Sequence, residues 1–183
     1  MEMEITETFS GDLSPQVLRK ELQEKETKGL RRRRAIIGLS LLGMGAMTAV
    51  SLFQTGIIKH LPDPPIDSFD SDKVNSSDTA YALGVPDGTL SLASLAANIP
   101  IAAFGGTDRA EKQPLVPIFA AGKSLVEAVV AGWYFYQMPT KEKAWCGYCI
   151  MGAFANVGIA VLTLPEAIEA LENLNKKITD RKI

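Results

Sequence analysis

The chain has 183 residues, 46% of them hydrophobic, and a formal net charge of −2. That is enough chain for one domain, and a charge so near balance gives no reason to expect a nucleic-acid partner. With two cysteines and one histidine, the only Cys-x-x-Cys pair supplies half of a zinc site at most, and no metal is expected.

The charged residues are unevenly placed. They crowd into residues 1–34, the loops and the tail, and none falls between Ala35 and Ile58, a run of 24 residues. About 20 helical residues cross a bilayer core, so this run reads as a membrane span. It does not read as a signal peptide, because about 30 polar and charged residues precede it and no small-residue cleavage site follows. Residues 1–34 read as a cytoplasmic arm, amphipathic or partly disordered, with a helix start at Ser14-Pro15. Gly38, Gly43, Gly45, Ala46 and Ala49 offer the first span a small-residue face for close helix contact.

The second span is weaker and runs from Asp87 to Gly106. Its Ser91, Ser94, Asn98 and Pro100 suggest burial against other helices, because polar groups are costly in lipid. The third covers Leu115–Met138 and carries Lys123 and Glu127, which read as an inward-facing pair at membrane depth. The fourth covers Cys146–Leu164, with a new turn at Pro165 and a charged, amphipathic tail over 165–183. The fold expected is all-α: an integral membrane four-helix bundle over 35–164, with a cytoplasmic N-terminal arm and a short helical C-terminal tail.

Basic residues orient these spans. Arg31–Arg34, Arg109, Lys112, Lys176, Lys177, Arg181 and Lys182 fall on one side when there are four spans. The other side receives Lys59, Lys73, Lys141 and Lys143. Both termini are therefore expected to be cytoplasmic in a bacterial inner membrane, or stromal in a thylakoid. The 59–85 loop and the 139–145 loop then face the periplasm or lumen.

Cys146 and Cys149 are the only cysteines and stand in Trp145-Cys146-Gly147-Tyr148-Cys149. A spacing of three puts both sulfurs on one face of a helical turn. A helix N-terminus favours the thiolate, and the expected side is oxidising, so the pattern points to a reversible disulfide. The competing reading is two small apolar residues in a helix. By depth, Cys146 is expected nearer water and more accessible than Cys149.

The Trp145–Cys149 motif, opening the last of four spans, resembles the active-site motif of the vitamin K epoxide reductase family. Ser76-Ser77-Asp78-Thr79-Ala80-Tyr81-Ala82-Leu83-Gly84-Val85-Pro86 is similar to that family's loop segment ahead of span two. The resemblance covers roughly Ala35 to Leu164. It implies a membrane oxidoreductase that reduces a quinone. Cys149 would face the quinone and Cys146 would exchange disulfides with a shuttle. Trp145, Tyr148 and Ser77 would lie near the quinone, although Trp145 and Tyr148 also suit a membrane-interface belt. The family's two shuttle cysteines in the first exoplasmic loop have no counterpart here, and the second would fall near Ser71. The family's fused thioredoxin-like domain is not expected either, since the chain ends soon after span four.

Among the remaining residues, Asp63, Asp67, Asp70 and Asp72 read as a solvated acidic loop rather than a calcium site. His60, the only histidine, reads as an interfacial residue with a lesser reading as proton donor to a bound quinol. The function expected is a membrane thiol–disulfide oxidoreductase coupling the Cys146–Cys149 dithiol to quinone reduction. Its partners would be membrane lipid and a separate thioredoxin-like protein or a larger membrane complex. The alternative is a degenerate family member kept as a non-catalytic accessory subunit of a photosynthetic or respiratory membrane complex.

Overall fold

The structure is a computed structural model and describes residues 14–180. The first part of the expected arm, and Arg181 and Lys182 of the tail, lie outside the described residues. Every regular element among them is helical.

Helix α1 (Pro15–Glu24) starts where expected. Proline occupies the first turn and the Ser14 hydroxyl accepts the Val17 N–H at 3.4 Å, which satisfies a donor the helix cannot. Helix α2 (Lys28–Gln54) is capped by Thr27, whose hydroxyl accepts the Leu30 N–H at 3.2 Å. It begins seven residues before the apolar run and ends four before its close. Ile36, Ser40, Gly43, Met47 and Val50 form its buried stripe, the spacing that keeps one face against neighbours. A Cβ on Gly43 would meet Leu95 at 2.9 Å and Ala155 at 3.1 Å, so three helices converge there. Gly38 and Gly45 have nothing within 4 Å. The expected small-residue face therefore reduces to Gly43 and its buried neighbour Ala46.

Two short elements occupy the first loop: α3 (Ser71–Asn75) and a 3₁₀ turn at Asp78–Tyr81. Helix α4 (Asp87–Ala103) follows, then the single turn α5 (Arg109–Lys112) and α6 (Leu115–Gln137). A π turn at Met138–Glu142 leads to the last helix, α7 (Gly147–Asp180). Helix α2 packs along α4 on one side and α7 on the other; α6 packs along α7 and barely touches α4.

The helices α2, α6 extended by its π turn, and α7 are long and apolar enough to cross a membrane. Their outer faces support this: Phe119, Val129, Trp133, Phe154 and Val161 are all exposed, an apolar surface that calls for lipid. Helix α4 is 17 residues long, roughly 26 Å at 1.5 Å per residue, and falls short of the other three.

The C-terminal carbonyls of α4 are satisfied by two buried arginines. Arg33 donates to the carbonyls of Ala102 (2.7 Å), Phe104 (2.9 Å), Gly105 (2.8 Å) and Gly106 (3.0 Å). Arg109 donates to Ile101 (2.7 Å) and Phe104 (2.9 Å), and grips Glu166 of α7 through two parallel bonds of 2.6 and 2.7 Å. Glu21 of α1 joins this end, accepting the Thr107 N–H at 3.0 Å. The Lys25 ammonium beside it, then the Thr107 amide, hold the Glu21 carboxyl below its usual range.

One expectation fails at Pro165. The last helix does not restart there but runs through it without a break. Proline removes one ladder hydrogen bond, and here that local loss does not end the helix. The continuous helix places Glu166 one position past Pro165, where Arg109 meets it.

Removing Arg109 strands Glu166, whose side chain is only 12% exposed. Arg109→Met should therefore cost about 3–5 kcal/mol of stability. Adding Glu166→Leu to that variant should restore part of the loss but not all of it, because the Ile101 carbonyl still lacks its donor; denaturant titration in mixed micelles reads both.

Candidate functional site

The Cys-x-x-Cys segment is positioned by how α6 ends. After the π turn, Lys143 takes a left-handed conformation (φ 52°) and the Ala144 N–H returns to the Met138 carbonyl at 3.2 Å. This turns the chain back toward the first loop. There the Asp70 N–H donates to the Trp145 carbonyl (3.0 Å) and the Trp145 N–H to the Ser68 carbonyl (2.8 Å), a single β-bridge pairing Phe69 with Trp145.

Cys146 follows at the N-cap of α7. Its carbonyl accepts the Ile150 N–H at 3.0 Å, and its Sγ lies 3.1 Å from the Cys149 N–H, the place a capping serine or aspartate oxygen takes. Cys146 and Cys149 are disulfide-bonded with Cα atoms 5.2 Å apart, within the range such a bond needs. The spacing expected to bring the sulfurs together does so.

Helix α3 supplies a residue that sequence reasoning missed. Asn75 is 2% exposed. Its Nδ2 donates to the Ser71 carbonyl at 2.7 Å and to Cys146 Sγ at 3.2 Å, while its Oδ1 lies 3.6 Å from Cys149 Sγ. Nothing in the sequence marks a five-residue helix inside a polar loop, and Asn75 reads there as one more turn former. Ser71, near the expected place of a shuttle cysteine, is fully buried, and its hydroxyl donates to Asp63 at 2.6 Å.

A cavity of about 330 Å³ opens beside the pair. Met47, Val50, Leu90, Val130, Tyr134 and Phe135 give it apolar walls, and Cys149, Asn75, Ser77, Ser94 and Glu127 line it as well. Trp145 and Tyr148 do not line the cavity: Trp145 stacks on Phe135 with ring centroids 5.3 Å apart, and the Tyr148 hydroxyl donates to the Pro62 carbonyl at 3.0 Å.

The accessibility of the two sulfurs reverses the expectation. Cys146 is wholly buried, whereas Cys149 is partly exposed and borders the cavity. Depth along the helix would favour Cys146, but the first loop folds over it through the Phe69–Trp145 bridge and Asn75.

The aspartates of that loop hold its backbone. Asp63 accepts the Ser71 N–H (2.7 Å), Asp70 caps α3 through the Lys73 N–H (2.9 Å), and Asp72 accepts the Leu61 N–H (2.8 Å). Asp72 also meets His60 Nδ1 at 2.5 Å, and this hydrogen bond raises the imidazole above its ordinary value of 6.5. The extra hold of a protonated His60 is therefore present at low pH and lost as pH rises through the raised value.

The inward pair on α6 is present. Lys123 binds Glu127, the Ser94 carbonyl (2.9 Å) and Asn98 Oδ1 (2.8 Å); Glu127 accepts from the Ser94 hydroxyl and from Asn98 Nδ2 at 3.3 Å. These side chains join α6 to α4 where little else does.

The vitamin K epoxide reductase family model matches residues 34–164. No curated protein matches the chain by sequence comparison.

After mild reduction, a small maleimide should modify Cys149 at least tenfold faster than Cys146, since only Cys149 borders the cavity. Peptide mass spectrometry of the alkylated protein reads the ratio, and faster labelling of Cys146 would mean that the loop does not cover it.

Proposed function

Because the chain belongs to the vitamin K epoxide reductase family, we propose that it is a multi-pass membrane thiol–disulfide oxidoreductase in which the Cys146–Cys149 dithiol reduces a quinone. The observation that carries this reading is one sulfur, Cys149, on the wall of an apolar cavity large enough for a flat ring. In the reaction the Cys146–Cys149 bond forms, two electrons leave the pair, and the two quinone oxygens take up two protons, one from the Cys149 thiol and one from solvent. Asp87, Glu127 and Glu142 are the carboxyl groups on the cavity wall and could carry those protons. Ser77 supplies a hydroxyl on the same wall. No metal takes part in this scheme.

A second reading has a specific observation behind it. The first loop holds no cysteine and buries Ser71 where a relay cysteine would stand. A member without its relay either draws electrons from outside, from a separate thioredoxin-like protein for instance, or serves as a non-catalytic accessory subunit of a larger photosynthetic or respiratory complex. The retained Cys-x-x-Cys favours the first, because a scaffold has no use for a redox pair.

Purified protein supplied with dithiothreitol and a short-chain quinone tests this choice. Turnover is expected in the wild type, with loss of at least a hundredfold in both Cys146→Ser and Cys149→Ser. Full activity in either variant would remove the enzyme reading. An inactive wild type would favour the subunit.

We also assign α4 as a further span, second in chain order, supported by its packing along α2 and by the polar cluster that joins it to α6. Both termini then share the cytoplasmic or stromal side, and the Cys-x-x-Cys lies near the periplasmic or lumenal face of a bacterial inner membrane or a thylakoid. In a Cys146→Ser/Cys149→Ser background, a cysteine at Ser68 should react with an impermeant maleimide added outside intact cells. One at Asn175 should react only after the cells are opened. The reverse pattern would invert the topology.

A further inference from the structure

Asn75 touches both sulfurs of the pair, and it does so asymmetrically. Its Nδ2 donates to Cys146 Sγ (3.2 Å), where the Cys149 N–H also points (3.1 Å). Its Oδ1, an acceptor, faces Cys149 Sγ at 3.6 Å. The carboxamide cannot easily reverse, because its Nδ2 also donates to the Ser71 carbonyl at 2.7 Å and flipping would set two oxygens against each other. Two N–H donors therefore converge on Cys146, and a carbonyl oxygen waits for a thiol proton on Cys149.

Hydrogen bonds to an anionic sulfur are stronger than bonds to a disulfide sulfur. This environment selects one opened form of the pair, with Cys146 as thiolate and Cys149 as thiol. It also selects a direction of opening. Only Cys149 borders the cavity, and Cys146 is fully buried. Attack on Cys149 expels Cys146 sulfur into a site already built for its negative charge.

From this geometry we infer that Asn75 is a positioning residue that makes Cys146 the leaving thiolate, so that a small thiol opens the disulfide by attacking Cys149 from the cavity. The inference rests on the redox reading above and deepens it by naming the entry point for electrons. In the first step a donor thiolate bonds to Cys149 Sγ and the Cys149–Cys146 bond breaks, leaving Cys146 as thiolate. In the second step another donor thiolate attacks the donor sulfur of that mixed disulfide. The donor disulfide departs and Cys149 takes up the proton released. Two donor thiols are oxidised, and the protein disulfide is reduced by two electrons. No loop cysteine is needed in this route, and this loop has none.

The test uses the full-length protein in detergent, equilibrated with dithiothreitol buffers without quinone, so that the outcome is independent of quinone activity. Asn75→Leu should shift the equilibrium about tenfold toward the disulfide, which is about 30 mV. Asn75→Asp keeps the shape but replaces the Nδ2 donor with an acceptor, and should shift it further in the same direction. Stability of Asn75→Leu in a Cys146→Ser/Cys149→Ser background reports the lost bond to Ser71 separately. A purely structural role would lower that stability and leave the redox equilibrium within twofold of wild type, which would overturn the inference. The entry point is read by trapping with glutathione disulfide. Cys146→Ser should form a mixed disulfide at Cys149 readily, and Cys149→Ser should form one at Cys146 at least tenfold more slowly. The opposite order would also overturn it.

Discussion

Everything in this molecule depends on finding partners for backbone carbonyls at the end of a helix that stops short. Helix α4 ends at Ala103, and its last carbonyls would otherwise face an apolar bundle, where each unpaired group costs several kcal/mol. Arg33 and Arg109 converge on them from α2 and α5, and Glu166 of α7 balances the charge. One knot thus ties the end of α4 to two of the long helices, α2 and α7. Gly43 then lets α2 approach α4 and α7 closely, and the position of Cys149 relative to the cavity follows from that packing.

At the opposite end the same requirement is met with different chemistry. The first loop has few apolar residues to bury, so it is held by aspartates that accept its own amides and by one β-bridge to the segment before Cys146. Gln54, the last residue of α2, binds Asp87 (2.6 Å) and the Gly88 N–H (3.0 Å), joining the end of one helix to the start of another. Loop and cavity meet at Asn75, which covers Cys146 and also lines the space beside Cys149.

The long apolar elements were legible in the sequence because their signal is a property of composition. A run of 24 uncharged residues can be little other than a span, and the Cys-x-x-Cys carried its own geometry. The pairing of Lys123 with Glu127 was legible for the same reason, since unpaired charge at membrane depth is costly. What could not be read were contacts between distant segments. Arg33 and Arg109 looked like topology signals, and nothing local distinguished them from Arg31 or Lys112. Only the ending of α4 between them makes them caps. Asn75 was hidden likewise, because its meaning comes from Cys146, 71 positions away. The exposure of the two sulfurs was misread because depth along one helix says nothing about a loop folded over its start.

The burial of Cys146 bears on how a family member can work without loop cysteines. The loop holds no cysteine and buries Ser71, whose hydroxyl donates to Asp63. Yet the loop is not an idle remnant. It brings Asn75 to the disulfide and covers Cys146. A loop that had lost all connection with the chemistry would be under no constraint to aim a buried carboxamide at two sulfurs. On the proposed route the loop's contribution is to set which sulfur receives electrons. Burial of Cys146 then ceases to be an obstacle. A leaving thiolate needs hydrogen-bond donors rather than access, and Cys146 has the donors while Cys149 has the access.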